Sequence, residues 1–314
     1  MARMTGKRAL MEMLKAEGVE YIFGNPGTSE TAIMDELESH PELKYILVTQ
    51  EGVAMGMADA YARATGRPSF VNLHIETGLA NGMSLLHNAN DGGTPLVLSA
   101  GNLDVRELAR GRTDLAGIVR PLTKWSAEAT HPQQIPGILR RAFNEAKTPP
   151  TGPTFVALSA NALDHQSDVD ISPSPKGYFR IRPDENAVEE AAELLGKASN
   201  PLMVVSDKVA ESDASSGAVQ VAEMIGASVY AARYSEMCFP TSHSQFKGAI
   251  KLGFPIAREI LSQADAVLVI GKMATSYYMF SEPRMDFAGP NTKFVHIDND
   301  AAHVGSTHPT AVGI

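Results

Sequence analysis

The stretch Lys44–Gly66, KYILVTQEGVAMGMADAYARATG, constrains the fold and the function of this chain more than any other. The apolar run Tyr45–Val48 predicts a strand, and the Ala- and Met-rich residues after Glu51 predict a helix that is apolar on nearly every side. Such a helix is normally buried, so we expect its first turn inside the protein or at a covered interface. A carboxylate there is costly unless it is paired or used. Glu51 is therefore either a first-turn residue that only caps the helix or a functional acid.

Length and composition set the class of protein. The chain has 314 residues, enough for about two domains, and 44% of them are hydrophobic. A net charge of −9 argues against nucleic acid or an anionic membrane as a partner. The single cysteine, Cys238, excludes an internal disulfide framework, and no apolar run is long enough to span a bilayer. We therefore expect a cytoplasmic protein without nucleic-acid or membrane partners.

Apolar runs alternate with helical patterns along the first half of the chain. The predicted strands there are Val19–Phe23, Tyr45–Val48, Ser69–His74, Pro95–Ala100 and Thr154–Leu158. Strands rich in Val, Ile and Leu between helices predict a mainly parallel sheet with helices on both faces. A Pro-, Ser- and Asp-rich stretch interrupts the pattern, and a second α/β pattern follows. We predict two three-layer α/β domains, residues 1–165 and 185–314, joined by a linker at 166–184.

Polar residues follow three of the predicted strands. Thr28 and Ser29 come after the first, Glu51 after the second, and His74 ends the third. Ligands of open α/β sheets bind beyond the carboxyl ends of the strands, so these groups are candidates for an acid–base cluster. Each also has a structural explanation, because hydroxyl residues cap helices and a histidine can be a satisfied core residue. The turn Gly24–Gly27 is neither a dinucleotide fingerprint nor a P-loop, and no HExxH or G-x-S-x-G motif occurs.

Together these segments resemble a known family. The sequences GVEYIFGNPGTSE, QEGVAMGMADAYARATGRP and FVNLHIETGLANGMSLLHNAND are similar to the N-terminal, pyrimidine-binding domain of thiamine-diphosphate-dependent enzymes. The sequences MCFPTSHSQFKGAI and ADAVLVIGK are similar to the central domain of the same superfamily. Within it, the chain resembles the branch that contains benzoylformate decarboxylase and acetohydroxyacid synthase-like enzymes. The resemblance implies a 2-keto acid decarboxylase or carboligase, acting on a small 2-keto acid with thiamine diphosphate.

The resemblance also implies roles for individual residues. Glu51 matches the glutamate that hydrogen-bonds N1′ of the aminopyrimidine ring, and His74 matches a histidine that transfers protons. Thr28 stands where the benzoylformate decarboxylases of this family carry a serine near the substrate carboxylate. Four further residues are expected against the cofactor: Pro26, Gly27, Gly78 and Asn81.

Two departures from the family pattern affect these expectations. The position of a second active-site histidine in the central domain matches Tyr278, with Tyr277 beside it, and both are candidate substrate-pocket residues. A phenol is a poor substitute for an imidazole near pH 7, so the side chain of the keto acid stays open.

The second departure concerns the diphosphate. Family members bind it with Mg²⁺ through a GDG…N motif in a C-terminal domain, and no GDG occurs here. No metal ligands are therefore expected in this chain, and FAD is not expected because a glycine fingerprint is lacking. The chain stops at Ile314 on an apolar run, so we expect a truncated central domain and no C-terminal domain. Either that domain is removed or lost, or another polypeptide supplies it, and the isolated chain should be inactive. The expected assembly is a homodimer, a homotetramer, or a complex with a separate diphosphate-binding chain.

Overall fold

The structure is a computed structural model that describes residues 1–176, 182–232, 238–250, 255–272 and 288–314. The chain divides into two compact units, Met1–Phe179 and Arg180–Ile314. Each unit contains a six-stranded parallel sheet with helices packed on it. The predicted fold class is therefore confirmed. No helix in the described ranges combines the length and the apolar composition that crossing a membrane requires.

The first unit contains these strands: β1 Ala2–Thr5, β2 Tyr21–Asn25, β3 Lys44–Leu47, β4 Ser69–Leu73, β5 Leu96–Asn102, β6 Trp125–Ala129, β7 Thr154–Ser159 and β8 Gln166–Val169. Its α-helices are α1 Gly6–Ala16, α2 Thr31–Leu37, α3 Glu51–Thr65, α4 Ile75–Gly92, α5 Leu115–Val119, α6 Gln134–Lys147 and α7 Ala160–Asp164. Short 3₁₀ turns lie at Thr28–Glu30, Val105–Arg110 and Arg120–Leu122.

The main sheet of the first unit has the strand order β3-β2-β4-β5-β7-β6, and all of its strand pairs are parallel. Adjacent residues of a strand point to opposite faces. Phe70 accordingly packs in the apolar cluster of α1 and α6, and Val71 packs in the cluster of α3 and α4. This order sets the carboxyl ends of β3, β2 and β4 side by side at one edge of the sheet.

The end of the first unit differs from the sequence interpretation. The sequence pattern places residues 166–169 in the linker, but they form β8, which pairs antiparallel with β1. Farther along, the Ser174 hydroxyl donates to Glu17 Oε2 at 2.6 Å. The chain up to Ser174 therefore lies on the first unit. The outer strand β6 is also absent from the sequence prediction, since its sequence WSAEA has no Val, Ile or Leu and its side chains are mostly half-buried.

Helix α3 is apolar on nearly every side, but it is not covered on all sides within this chain. Ala54, Met55 and Ala58 are buried, but Val53 is 50% exposed and Met57 is 39% exposed. Because Val53 and Met57 are four residues apart, they lie on the same side of the helix and form an apolar stripe on the surface. The apolar composition of α3 does not show which of its residues face the core and which form this stripe on the surface.

The second unit contains the strands β9 Pro201–Val205, β10 Ser228–Ala231, β11 Phe246–Ala249, β12 Ala266–Ile270, β13 Lys293–Ile297 and β14 Val312–Gly313. Its helices are α8 Glu185–Gly196, α9 Lys208–Glu211, α10 Ser215–Ile225 and α11 Pro255–Gln263. The strand order is β11-β10-β9-β12-β13-β14, again with parallel pairs. The apolar run before Ile314 thus includes an edge strand that pairs with β13.

Candidate active site

The neighbouring ends of β2, β3 and β4 bring the principal candidate residues to one place. Asn25 is the last residue of β2, Glu51 begins α3 after β3, and His74 follows β4 directly. Gly78 shows how close two of them are. A Cβ atom built on Gly78 would lie 3.2 Å from Glu51 Oε1 and 3.4 Å from the Cβ of His74. The carboxylate and the histidine therefore flank the same glycine of α4.

The position of Glu51 follows from the way α3 begins. Gln50 has an extended backbone, and its side-chain oxygen accepts the backbone N–H of Val53 at 3.1 Å. This cap makes Glu51 the first residue of the helix, where the helix dipole favours a negative charge. Glu51 is nevertheless only 7% exposed. The acid predicted to lie in a protected place is buried in the first unit itself.

Both oxygens of Glu51 accept a side-chain amide N–H. Asn25 Nδ2 donates to Oε1 at 3.1 Å, and Asn81 Nδ2 donates to Oε2 at 3.0 Å. Burial by itself raises the pKa of the Glu51 carboxyl. Hydrogen bonds from Asn81, from the backbone N–H of Glu51 and from Asn25 outweigh burial, so the pKa lies below the ordinary value for glutamate. Glu51 is thus held as a carboxylate at neutral pH.

His74 is paired with a second buried acid, Glu30, which is 0% exposed. Glu30 Oε2 lies 2.8 Å from His74 Nδ1 and accepts the backbone N–H of Gly27 at 2.9 Å. Its other oxygen accepts the backbone N–H of Gly101 at 2.8 Å. Glu30 therefore joins the turn after β2, the end of β5 and the start of α4.

This arrangement assigns the tautomer of His74. A carboxylate can only accept hydrogen bonds, and Glu30 accepts two of them from backbone N–H groups. The Nδ1 atom of His74 must then carry the hydrogen that it shares with Glu30. In a neutral ring the other nitrogen, Nε2, is left as the proton acceptor. The pair can orient an imidazole for proton transfer through Nε2.

Two glycines make this packing possible. A Cβ atom on Gly27 would lie 2.4 Å from His74 Nδ1, and one on Gly101 would lie 2.3 Å from Glu30 Oε1. Neither position has room for a side chain. Gly27 is thus required by His74, whatever its relation to a cofactor. Pro26, just before it, is half-buried.

The remaining candidates are placed differently. Thr28 is exposed in its 3₁₀ turn and lines a surface cavity of about 350 Å³ together with Ser29, Asp35 and Asp164. Neither Glu51 nor His74 lines that cavity. Tyr277 and Tyr278 lie outside the described residues. Within the described ranges, no group of three or more His, Cys, Asp or Glu side chains is arranged to hold a metal ion.

Sequence reasoning gave no role to Glu30 or Asn25, although both lie in the segment GNPGTSE that it singled out. The spacing of Glu30, three residues after Gly27, is that of a capping box, and the Glu30 carboxylate does bond the backbone of Gly27. That spacing was the available signal. It does not predict that the same carboxylate turns inward to a histidine.

Comparison with known proteins identifies the family. Residues 4–118 match the family model described as thiamine pyrophosphate enzyme, N-terminal TPP binding domain. Residues 188–314 match the model for the central domain of the same enzymes. The chain belongs to the thiamine pyrophosphate enzymes. All of the candidate residues on β2, α3 and α4 fall within the range of the N-terminal model.

Individual relatives are similar over most of this chain. Benzoylformate decarboxylase of Pseudomonas aeruginosa is 32% identical over 288 residues, which are 87% of this chain and 53% of that protein. The large subunit of acetolactate synthase from Haemophilus influenzae is 26% identical and covers 100% of this chain and 56% of its own. The crystal structure of benzoylformate decarboxylase from Polynucleobacter necessarius superimposes with a TM-score of 0.88 at 28% identity, covering 98% of this chain and 58% of its own. The chain thus spans about half the length of the curated relatives it matches.

Proposed function

We propose that this chain supplies the pyrimidine-binding half of the active site of a thiamine-diphosphate-dependent 2-keto acid decarboxylase or carboligase. One observation carries the proposal: a buried carboxylate, Glu51, is held ionised by two amides next to an oriented histidine, His74. The relatives support both reaction types, because one is named benzoylformate decarboxylase and another acetolactate synthase. The reaction is therefore that of a lyase or of a transferase.

The residues at the edge of the sheet fit an aminopyrimidine ring. Glu51 accepts one N–H from each asparagine and one from its own backbone, so the four lone pairs of its two oxygens leave one for a ring nitrogen that carries hydrogen. Gly78 has no side chain beside Glu51 Oε1, where a Cβ atom would come within 3.2 Å. The remaining acceptor capacity of Glu51 and the absence of a side chain at Gly78 suit a flat ligand that carries an N–H group. The group that binds here supplies an electron sink for the keto acid.

Each side chain then has a task that follows from its contacts. Glu51 holds the ring nitrogen through its carboxylate, and burial keeps competing water away from that contact. His74 accepts or returns a proton at Nε2, because Glu30 occupies Nδ1. Pro26 and Gly27, in the turn that Glu30 holds, are assigned to the wall of the site. The substrate-carboxylate role of Thr28 and the substrate-pocket role of the two tyrosines 277 and 278 rest on the family resemblance alone.

The diphosphate and its Mg²⁺ need ligands from outside these 314 residues, since no GDG motif occurs among them. Apolar side chains are exposed on the elements that carry the proposed site. Leu47 is 69% exposed at the end of β3, and the stripe of Val53 and Met57 is exposed on α3. We propose that this surface is covered in a homodimer, a homotetramer or a complex with a diphosphate-binding chain.

A cytoplasmic location, inferred from the single Cys238, belongs to the same proposal and is tested by cell fractionation.

An activity assay tests the proposal. The protein, alone and together with a polypeptide that bears the GDG…N motif, is supplied with thiamine diphosphate, Mg²⁺ and a panel of 2-keto acids. We expect CO₂ release or carboligation only when both halves are present. The Glu51→Gln variant should lose at least about a hundredfold in rate, in the range found when one preorganised electrostatic contact is removed. Exposed Glu38→Gln, at the end of α2, is the matched control and should keep full activity.

A second candidate function is that of a non-catalytic assembly subunit, which the exposed apolar surface around α3 favours. It predicts a stable complex with a GDG…N chain whose activity is the same in the wild type and in the Glu51→Gln variant. Such a result would contradict the catalytic role proposed for this chain and would keep the structural one. Absence of activity with every keto acid, in a complex shown to be intact, would contradict the decarboxylase or carboligase proposal.

A further inference from the structure

The carboxylate of Glu51 is fixed by two asparagines from different elements. Asn25 ends β2, and Asn81 lies on the second turn of α4, six residues after Ile75. Their amides donate to different oxygens of Glu51, at 3.1 Å and 3.0 Å. A glutamate side chain rotates about three bonds, and binding both of its oxygens fixes the plane of the carboxylate as well as its position. The three elements β2, α3 and α4 thus meet at one acid.

The chemistry of this arrangement suits only one state of the acid. An ionised carboxylate accepts hydrogen bonds at both oxygens, and each asparagine offers Nδ2, which only donates. A protonated Glu51 would still accept through its lone pairs, but its O–H oxygen is a weaker acceptor and its hydrogen would need a partner of its own. Two donors that both point at the carboxyl oxygens bind the charged form more strongly. The pair of donors therefore selects the carboxylate.

We propose that Asn25 and Asn81 are positioning residues that hold the Glu51 carboxylate ionised and in one plane before any ligand enters. Asn81 is expected to contact the cofactor, and in the structure its amide donates to Glu51. The proposal rests on the proposed function only in naming what Glu51 later meets. The titratable groups that face Glu51 are His74, across Gly78, and through it Glu30. Both are kept unchanged in the variants below.

The proton affinity of Glu51 is the quantity to measure. The full chain is labelled with ¹³C at the glutamate side-chain carboxyl, and the Glu51 signal is assigned as the one missing from Glu51→Gln. In the wild type we expect a titration midpoint below that of an ordinary glutamate. Asn25→Ala and Asn81→Ala should each raise the midpoint by about one pH unit, a tenfold change in proton affinity, because a charge-assisted hydrogen bond is lost. Asn88→Ala, at an exposed position of the same helix α4, is the matched control and should leave the midpoint unchanged.

Asn25→Asp separates positioning from packing. Aspartate has the shape of asparagine, but it places a second carboxylate about 3 Å from Glu51, which should raise the Glu51 midpoint further, by roughly two pH units. Asn25→Ser keeps a hydrogen-bond donor and should restore part of the wild-type value. If Asn25→Ala fails to fold, these two variants decide the question in its place.

A Glu51 midpoint that stays within about 0.2 pH unit of wild type in the Asn25 and Asn81 variants would overturn the proposal. The measurement needs no cofactor and no partner, so it is independent of activity. Raised midpoints in a protein that binds no thiamine diphosphate, even with a GDG…N chain present, would support the positioning role and refute only the proposed function.

Discussion

Replacing Glu30 tests how His74 is oriented, and its cost can be worked out from the contacts. The Glu30 side chain is fully buried and accepts three N–H groups, from Gly27, Gly101 and His74. Glu30→Ala leaves these donors without their partner in a place that Glu30 sealed from water. At about 1–3 kcal/mol for each unpaired buried group, partly relieved by rearrangement, we expect a loss of about 3–5 kcal/mol. At about 2–4 °C per kcal/mol, the melting temperature should fall by roughly 10 °C.

Glu30→Gln keeps the shape and changes the chemistry. The amide has one accepting oxygen, which satisfies the most buried donor, the backbone N–H of Gly101. Its NH₂ group then faces His74 Nδ1 and the N–H of Gly27. The imidazole can accept from that group only by moving its own hydrogen to Nε2. We therefore expect Glu30→Gln to cost only about 1–2 kcal/mol, but to switch the tautomer of His74 and remove the proton acceptor at Nε2.

Long-range ¹⁵N–¹H NMR of the histidine rings measures that tautomer, with the His74 signals assigned from a His74→Asn variant. The wild type should show hydrogen at Nδ1, and Glu30→Gln should show it at Nε2. Thermal unfolding measures the stability, with Glu38→Gln and Glu38→Ala at an exposed position as controls. Hydrogen retained at Nδ1 in Glu30→Gln, or a Glu30→Ala melting temperature no lower than that of Glu38→Ala, would refute the reasoning.

Three further outcomes follow from other contacts. Gly27→Ala places a methyl group 2.4 Å from the ring of His74, so the ring must move. We expect at least a tenfold loss of activity in the assembled enzyme. An unchanged rate would contradict the close packing of Gly27 against His74. Burial lowers the pKa of His308 to about 4, so the unfolded chain binds more protons than the folded one below about pH 6.5, and stability falls as the pH drops toward 4. Between pH 7 and pH 5, His308 should lower the free energy of unfolding by about 2 kcal/mol. Urea unfolding should detect this loss in the wild type and find it largely removed in His308→Phe. Equal losses in the two proteins would contradict the prediction. Val53→Asp places a charge on the exposed stripe of α3 and should weaken association in analytical ultracentrifugation, whereas an unchanged sedimentation coefficient would show that this surface is not an interface.

Much of the fold could be predicted because its central strands carry a strong signal. Ser69–Leu73 and Thr154–Ser159 are buried at every residue, and strands rich in Phe, Val and Leu between helices are typical of a parallel sheet. Two edge strands, Trp125–Ala129 and Phe246–Ala249, are absent from the sequence prediction. Neither contains Val, Ile or Leu, so neither has the strong apolar signal of the central strands. Pairing with a neighbouring strand, which a local pattern does not contain, makes them strands.

The candidate site was predictable to the extent that it depends on strand ends. Glu51 and His74 follow strands that flank β2 in the parallel sheet, so their proximity follows from the topology. The hydrogen bonds that fix them depend on side-chain directions within turns. Sequence alone could not tell that Glu30 turns inward to full burial while Thr28, two residues before it, stays exposed. The exposure of the apolar stripe on α3 could not be predicted from the sequence for the same reason.

The most direct test of the role given to Glu51 is the rate at which deuterium from the solvent replaces the proton at C2 of thiamine diphosphate in the assembled protein, followed by ¹H NMR. We expect fast exchange in the wild type and a rate at least about a hundredfold slower in Glu51→Gln, with the control Glu38→Gln unchanged. Equal exchange rates in the wild type and in Glu51→Gln would contradict the assignment of this buried carboxylate to the cofactor.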